Sequence, residues 1–162
     1  MPLSPLSPLS TLAALGRALL RDRWVAVTVR GASMQPTLHD GDRVLVRRGP
    51  VRASGELVVL GRAVMGPDEP EFFEWIIKRV AARSGDAVPR DSVPSLRNVP
   101  ETTVPAGKLV LLGDNPERSS DSRRFGYYSA DEVLGVVVRR LGRAAGRAGD
   151  LRATRCSSPE GP

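Results

Sequence analysis

The residues best suited to chemistry fall in three short segments. In the first, Gly31-Ala32-Ser33-Met34-Gln35-Pro36-Thr37-Leu38, a serine stands where an apolar, β-rich run ends. A turn at Pro36 can leave its hydroxyl exposed at a sheet edge, and the same serine can equally be a turn residue bonded to its own backbone. In the second, Glu74-Trp75-Ile76-Ile77-Lys78-Arg79-Val80, extended backbone puts Ile76, Lys78 and Val80 on one face. A lysine buried among apolar neighbours is pushed toward its neutral amine, which can take a proton from a serine hydroxyl near neutral pH. The competing reading is a lysine that snorkels to solvent along its stem. The third runs from Lys108 to Gly126, where a strand enters a dense polar loop holding Asp114, Asn115, Ser119, Asp121 and Arg123. Read alone, it is a hydrogen-bonded cluster with an Asp121–Arg123 ion pair, or a cation site of Asp114, Asn115 and Asp121. The EF-hand spacing is absent.

Composition narrows the chemistry further. With one histidine and one cysteine, the chain cannot build a multi-His metal site, a Cys-rich zinc site, an iron–sulfur cluster or an internal disulfide. No metal or cofactor is expected. A histidine triad would have to use His39, six residues after Ser33 and beside Asp40, a place that suits a surface residue better. Among 24 basic side chains only Lys78 and Lys108 are lysines, and arginine, always protonated, cannot act as a base. Its 162 residues, 41% hydrophobic and 26% charged, describe one globular domain with tails, basic at +6.

The elements that must position these residues read as short β runs: Trp24–Val29, Arg43–Arg47, Glu56–Leu60, Phe72–Val80, Lys108–Leu112 and Val133–Val138. Turn residues separate them, and Ala87–Thr103, with three prolines, reads as a loop or flap. The expected fold is mainly β, an antiparallel, barrel-like core over residues 24–141. Residues 1–23 form a Pro-Leu-Ser lead and a short amphipathic helix capped by Ser10, and residues 142–162 a flexible Arg-rich tail. No window reaches the roughly 20 apolar residues that a membrane span needs. The charges at Arg17, Arg21 and Arg23 follow the apolar stretch, opposite to a signal peptide.

Taken in order, the three segments resemble the type I signal peptidase family of Ser/Lys endopeptidases. The motifs are Ser-Met-x-Pro-Thr-Leu from Ser33, Lys-Arg-Val from Lys78 followed by Gly85-Asp86, and Gly-Asp-Asn-x-x-x-Ser-x-Asp-Ser-Arg-x-x-Gly from Gly113. The resemblance covers roughly Val27 to Val138. It implies Ser33 as nucleophile, Lys78 as general base and Ser119 as the group orienting the amine. Asp121 and Arg123 would form a supporting ion pair, with Arg79 nearby. The backbone N–H of Ser33 would donate to the oxyanion. Some relatives carry a second donor hydroxyl two residues earlier, where this chain has Gly31. The substrate, a precursor with a signal or leader peptide ending in small residues of the Ala-x-Ala type, would lie extended along Val27–Gly31 and Glu74–Ile77. Val27, Val29, Met34 and Ile76 would line its path.

Two other readings accompany this one. Familiar family members carry N-terminal membrane spans and a longer insert between the second and third motifs. Small maturation peptidases that trim one precursor in the cytoplasm, of the nickel superoxide dismutase type, share the shorter insert. Self-cleaving SOS-type repressors share the Ser/Lys fold, but the residues before Trp24 are too few for a helix-turn-helix domain. A non-catalytic basic protein binding nucleic acid or anionic lipid fits the charge. Yet the chain lacks basic motifs interleaved with aromatics, and no nucleic-acid partner is expected. The expected location is the bacterial membrane surface, held peripherally by the Arg139–Arg155 segment and the Leu12–Leu20 face.

Overall fold

The computed structural model describes residues 23–64 and 72–143. The six apolar runs become strands β1 (Trp24–Thr28), β2 (Asp42–Arg48), β3 (Leu57–Val64), β4 (Phe72–Arg83), β5 (Lys108–Leu112) and β7 (Val133–Arg143). A seventh strand of two residues, β6 (Tyr128–Ser129), was not expected. They form one sheet in the order β1-β2-β7-β3-β4-β5-β6, and every neighbouring pair is antiparallel. The sheet curls into a half-barrel that stays open, with β1 and β6 as its edges. The mainly-β expectation holds.

Alternation along the strands sends apolar side chains to both faces. On β3, Val59 joins Val29, Met34, Leu38, Val44, Val46 and Ile77 in one cluster. Its neighbours Val58 and Leu60 join Val80, Leu109, Leu111 and Val136 in another. Fully burying a Val or Leu side chain stabilises the fold by about 1.5–3 kcal/mol, so both faces contribute. The segment read as a flap is folded. Ala87 bridges to Thr103, and Val88, Val93, Leu96 and Val104 pack with Ala82 and Val110 in a third cluster.

Three strands run well past their expected ends, β3 as far as Val64. β4 continues to Arg83 and steps past a register shift between Val80 and Ala82. β7 continues through Arg139 and Arg140 to Arg143, which pairs with Asp42, so residues 142 and 143 belong to the sheet. Arginines and Gly142 gave those positions the texture of a tail, whereas two register shifts against β2 keep them paired. The expected N-terminal helix and the Arg-rich segment after residue 143 lie outside the described residues.

Candidate active site

Ser33 lies on the loop between β1 and β2. Backbone bonds close the loop at its base, with the Val29 N–H donating to the Asp42 carbonyl at 2.7 Å and the Gly41 N–H to the Val29 carbonyl at 3.0 Å. Met34 and Leu38 pin the loop by inserting into the first cluster, which leaves Ser33 half-buried beside them. Gly31 turns the chain with φ of +77°, and its N–H donates to Asp40 Oδ1 at 2.8 Å. A hydroxyl donor is therefore missing two residues before Ser33, and the backbone N–H there is already engaged.

Lys78 sits in β4 opposite Val58 and is 3% exposed. Ile76 and Val80, on the same face, pack into the second cluster. The snorkelling alternative does not apply, because the amine stays inside. Its Nζ donates to Ser119 Oγ at 3.0 Å. Ser119 follows a 3₁₀ turn, Pro116–Arg118, in extended conformation.

Gly113 joins these groups. A Cβ there would strike the Ser119 side chain and stand 2.7 Å from the Ser33 carbonyl oxygen. The next turn of the same loop fixes the serine directly, as the Asn115 N–H donates to the Ser33 carbonyl at 3.0 Å. The backbone of Ser33 and the hydroxyl that meets Lys78 thus close on one glycine.

Two separate ion pairs brace the loop. Asp121, fully buried, accepts from the Gly113 N–H at 2.8 Å, the Arg123 N–H at 3.0 Å and Arg123 Nη1 at 2.8 Å. It also caps α1 (Ser122–Phe125). Arg79 turns away from that pair and forks onto Asp114, Nε to Oδ1 at 2.8 Å and Nη2 to Oδ2 at 2.6 Å. Thr37, from the serine loop, donates to Asp114 Oδ2 at 2.5 Å. These bonds, Arg79 first and Thr37 after it, hold Asp114 below the usual carboxylate range against the opposing effect of burial. Arg79 is raised in return, chiefly by Asp114. A cation site of Asp114 and Asp121 is not assembled, since an arginine occupies each carboxylate. Among the described residues no three His, Cys, Asp or Glu side chains stand together as metal ligands.

His39 is exposed and lines a pocket with Asp42 and Arg140, and no hydrogen bond joins it to Ser33. Val27 lies on the edge strand β1, half-buried. β5 pairs with β4 only from Arg79 onward, so the backbone of Ile76 is open on that side. The side chains of Val29 and Met34 are buried in the first cluster. Sequence reasoning gave Thr37 and Gly113 no role and considered Asp114 and Asn115 only for a cation. Their signal was present, because all four stand inside the quoted motifs.

Comparison with known proteins fits this geometry. The family described as "Signal peptidase, peptidase S26" matches residues 90–141, and the family described as "Peptidase S24-like" matches residues 8–88. The chain belongs to the type I signal peptidase family. It is 29% identical to Signal peptidase IB of Staphylococcus aureus over 151 residues, covering 70% of this chain and 75% of that protein. To Probable signal peptidase I-1 of a Synechocystis species it is 30% identical over 133 residues, covering 67% of this chain and 66% of the relative. As in other signal peptidases, the implied activity is that of a peptidase. The two matched segments meet on either side of the Lys78–Ser119 contact, since Lys78 lies in one and Ser119 in the other.

Proposed function

We propose that this chain is a serine endopeptidase that removes signal or leader peptides from precursor proteins after small residues, using Ser33 and Lys78. The observation that carries the reading is the buried Lys78 amine, 3.0 Å from a hydroxyl that packs against Gly113 beside the Ser33 carbonyl. Burial favours the neutral amine, and Ser119 supplies an acceptor that aims it.

In the first step Lys78 Nζ takes the Ser33 hydroxyl proton as Oγ bonds to the scissile carbonyl carbon. The carbonyl electrons move to oxygen, where the Ser33 N–H donates to the resulting oxyanion. One such preorganised donor lowers a barrier by about 3–4 kcal/mol. The C–N bond then breaks, Lys78 returns its proton to the leaving amine, and an ester to Ser33 remains. Water attacks that ester while giving a proton to Lys78, and the proton passes back to Ser33 Oγ as the acid leaves. The open edges of β1 and of β4 around Ile76 offer backbone partners for an extended substrate.

The enzyme works at the membrane surface, where signal peptides are presented. The test is incubation of the purified chain with a synthetic Ala-x-Ala signal-peptide substrate and mass mapping of the products. Cleavage after the second alanine, abolished in Ser33→Ala with the fold retained, is expected. Cleavage that survives Ser33→Ala would overturn the assignment.

A further inference from the structure

Asp42 is a buried carboxylate that the proposed chemistry does not use. It opens β2 at the far end of the loop that carries Ser33, is 2% exposed, and joins three parts of the fold. Its carbonyl accepts from the Val29 N–H at 2.7 Å, which ties it to the residue where the loop begins. Its Oδ2 accepts from the His39 N–H at 3.0 Å, and its own N–H donates to the His39 carbonyl at 3.0 Å, closing the last turn of the loop. The same Oδ2 accepts from Arg140 Nη1 at 3.3 Å, 98 residues on, in the second half of β7. The His39 N–H, and after it Arg140, hold this carboxyl below the usual carboxylate range against the opposing effect of burial.

Strand register explains why Arg140 reaches it. Arg140 pairs with Val44, and Asp42 lies two residues before Val44 on the same buried face of β2. Arg139 pairs with Leu45 and belongs to the other face. The returning arm of the loop needs such a tie. After the buried Leu38 come His39 and Asp40, both exposed, and Gly41 with φ of +83°, so no apolar side chain anchors residues 39–41. Their path rests on hydrogen bonds, and His39 enters them with its backbone. The Arg140 side chain is 56% exposed, so its removal opens no cavity in the core. It leaves instead a buried charge at the base of the loop without its partner, which is the costly way to break an ion pair.

We infer that Asp42, clasped by Arg140, is a positioning residue for Ser33. It sets the path of the nucleophile loop from its base, while Asn115 and Asp114 hold the loop nearer the serine. The clasp touches neither Lys78 nor Ser119 and acts on the reaction only through the placement of Ser33. The inference rests on the Ser33–Lys78 reading above. A misplaced reacting atom costs about 100-fold for about 1 Å. Loosening one end of a loop whose other contacts stay in place should cost about tenfold.

The test pairs kinetics with amide hydrogen exchange on the full chain. Arg140→Gln should lower kcat for the Ala-x-Ala peptide about tenfold and leave KM within about twofold, because the open edges of β1 and β4 are unchanged. Arg140→Lys, still a cation within reach of the carboxylate, should recover most of that loss. Asp42→Asn added to Arg140→Gln should cost little beyond Arg140→Gln alone, since the two partners of one pair are not additive. Arg139→Gln removes an equal charge from the other face and should leave kcat within about twofold. In Arg140→Gln, exchange of residues 30–41 should rise at least about tenfold while that of β4 and β5 stays the same. Exchange needs no peptidase activity, so a chain that cleaves nothing would sink the Ser33–Lys78 reading and still leave the clasp to be decided by exchange. Unchanged exchange in residues 30–41 would overturn the inference. So would exchange that rises equally across the sheet, which marks a merely structural pair. A loss carried by KM instead of kcat, or matched by Arg139→Gln, would overturn it as well.

Discussion

Lys78 and Ser119, 41 residues apart in the chain, meet at 3.0 Å with the amine buried between strands. The contact orients the amine, and if Lys78 is the base proposed above, its protonation controls turnover. Activity should rise with pH as the amine loses its proton, with an apparent pKa well below the free lysine value of about 10.4. Ser119→Ala should slow turnover by about 10- to 100-fold, less than Lys78→Ala, because it removes the aim and leaves the base. A pH–rate profile of the unaltered chain and Ser119→Ala checks both. A rate still climbing past pH 10 would mean that burial does not tune this lysine.

Gly113 is predicted to be intolerant of any side chain. Its Cβ would need space already held by Ser119 and the Ser33 carbonyl, and neither is the free end of a flexible side chain. Gly113→Ala should lower kcat at least 100-fold by displacing the two serines relative to each other. Peptide cleavage read beside a thermal melt separates this from unfolding. Near-normal kcat in a folded Gly113→Ala would show that the loop can yield.

The Asp114 bridge predicts an acid limit to stability. Its folded pKa lies below the unfolded value of about 3.9, so its contribution is complete above that value and is lost as pH falls through the folded pKa. Urea unfolding of the unaltered chain and Asp114→Asn between pH 7 and pH 2 should show the two curves converging on the acid side. A gap that stays constant over that range would contradict the bridge.

His39→Ala should leave turnover within a few-fold, since the imidazole lies in the Asp42–Arg140 pocket. A loss comparable to that of Ser33→Ala would restore the histidine mechanism.

Much of the fold was readable because β-branched runs bounded by Gly, Pro and Asp give strands little alternative. β6 escaped because two residues carry no period, and the end of β7 because arginines beside Gly142 look the same in a tail and on an exposed strand. Burial of Lys78 was legible from Ile76 and Val80 on its own face. The pairing of Arg79 with Asp114 was not, because the partners stand 35 residues apart and Asp114 was weighed only as part of a cation site. In the folded loop Asp121 accepts from the Gly113 N–H as well as from Arg123, a backbone contact that the sequence does not announce.

The central claim is that Lys78 is the base for Ser33. Lys78→Arg keeps the charge and the length of the side chain but holds its proton at every accessible pH. Single-turnover cleavage of the Ala-x-Ala peptide by folded Lys78→Arg is therefore the most direct measurement. The account predicts no product above background from pH 6 to pH 10, and turnover within tenfold of the unaltered chain would contradict it.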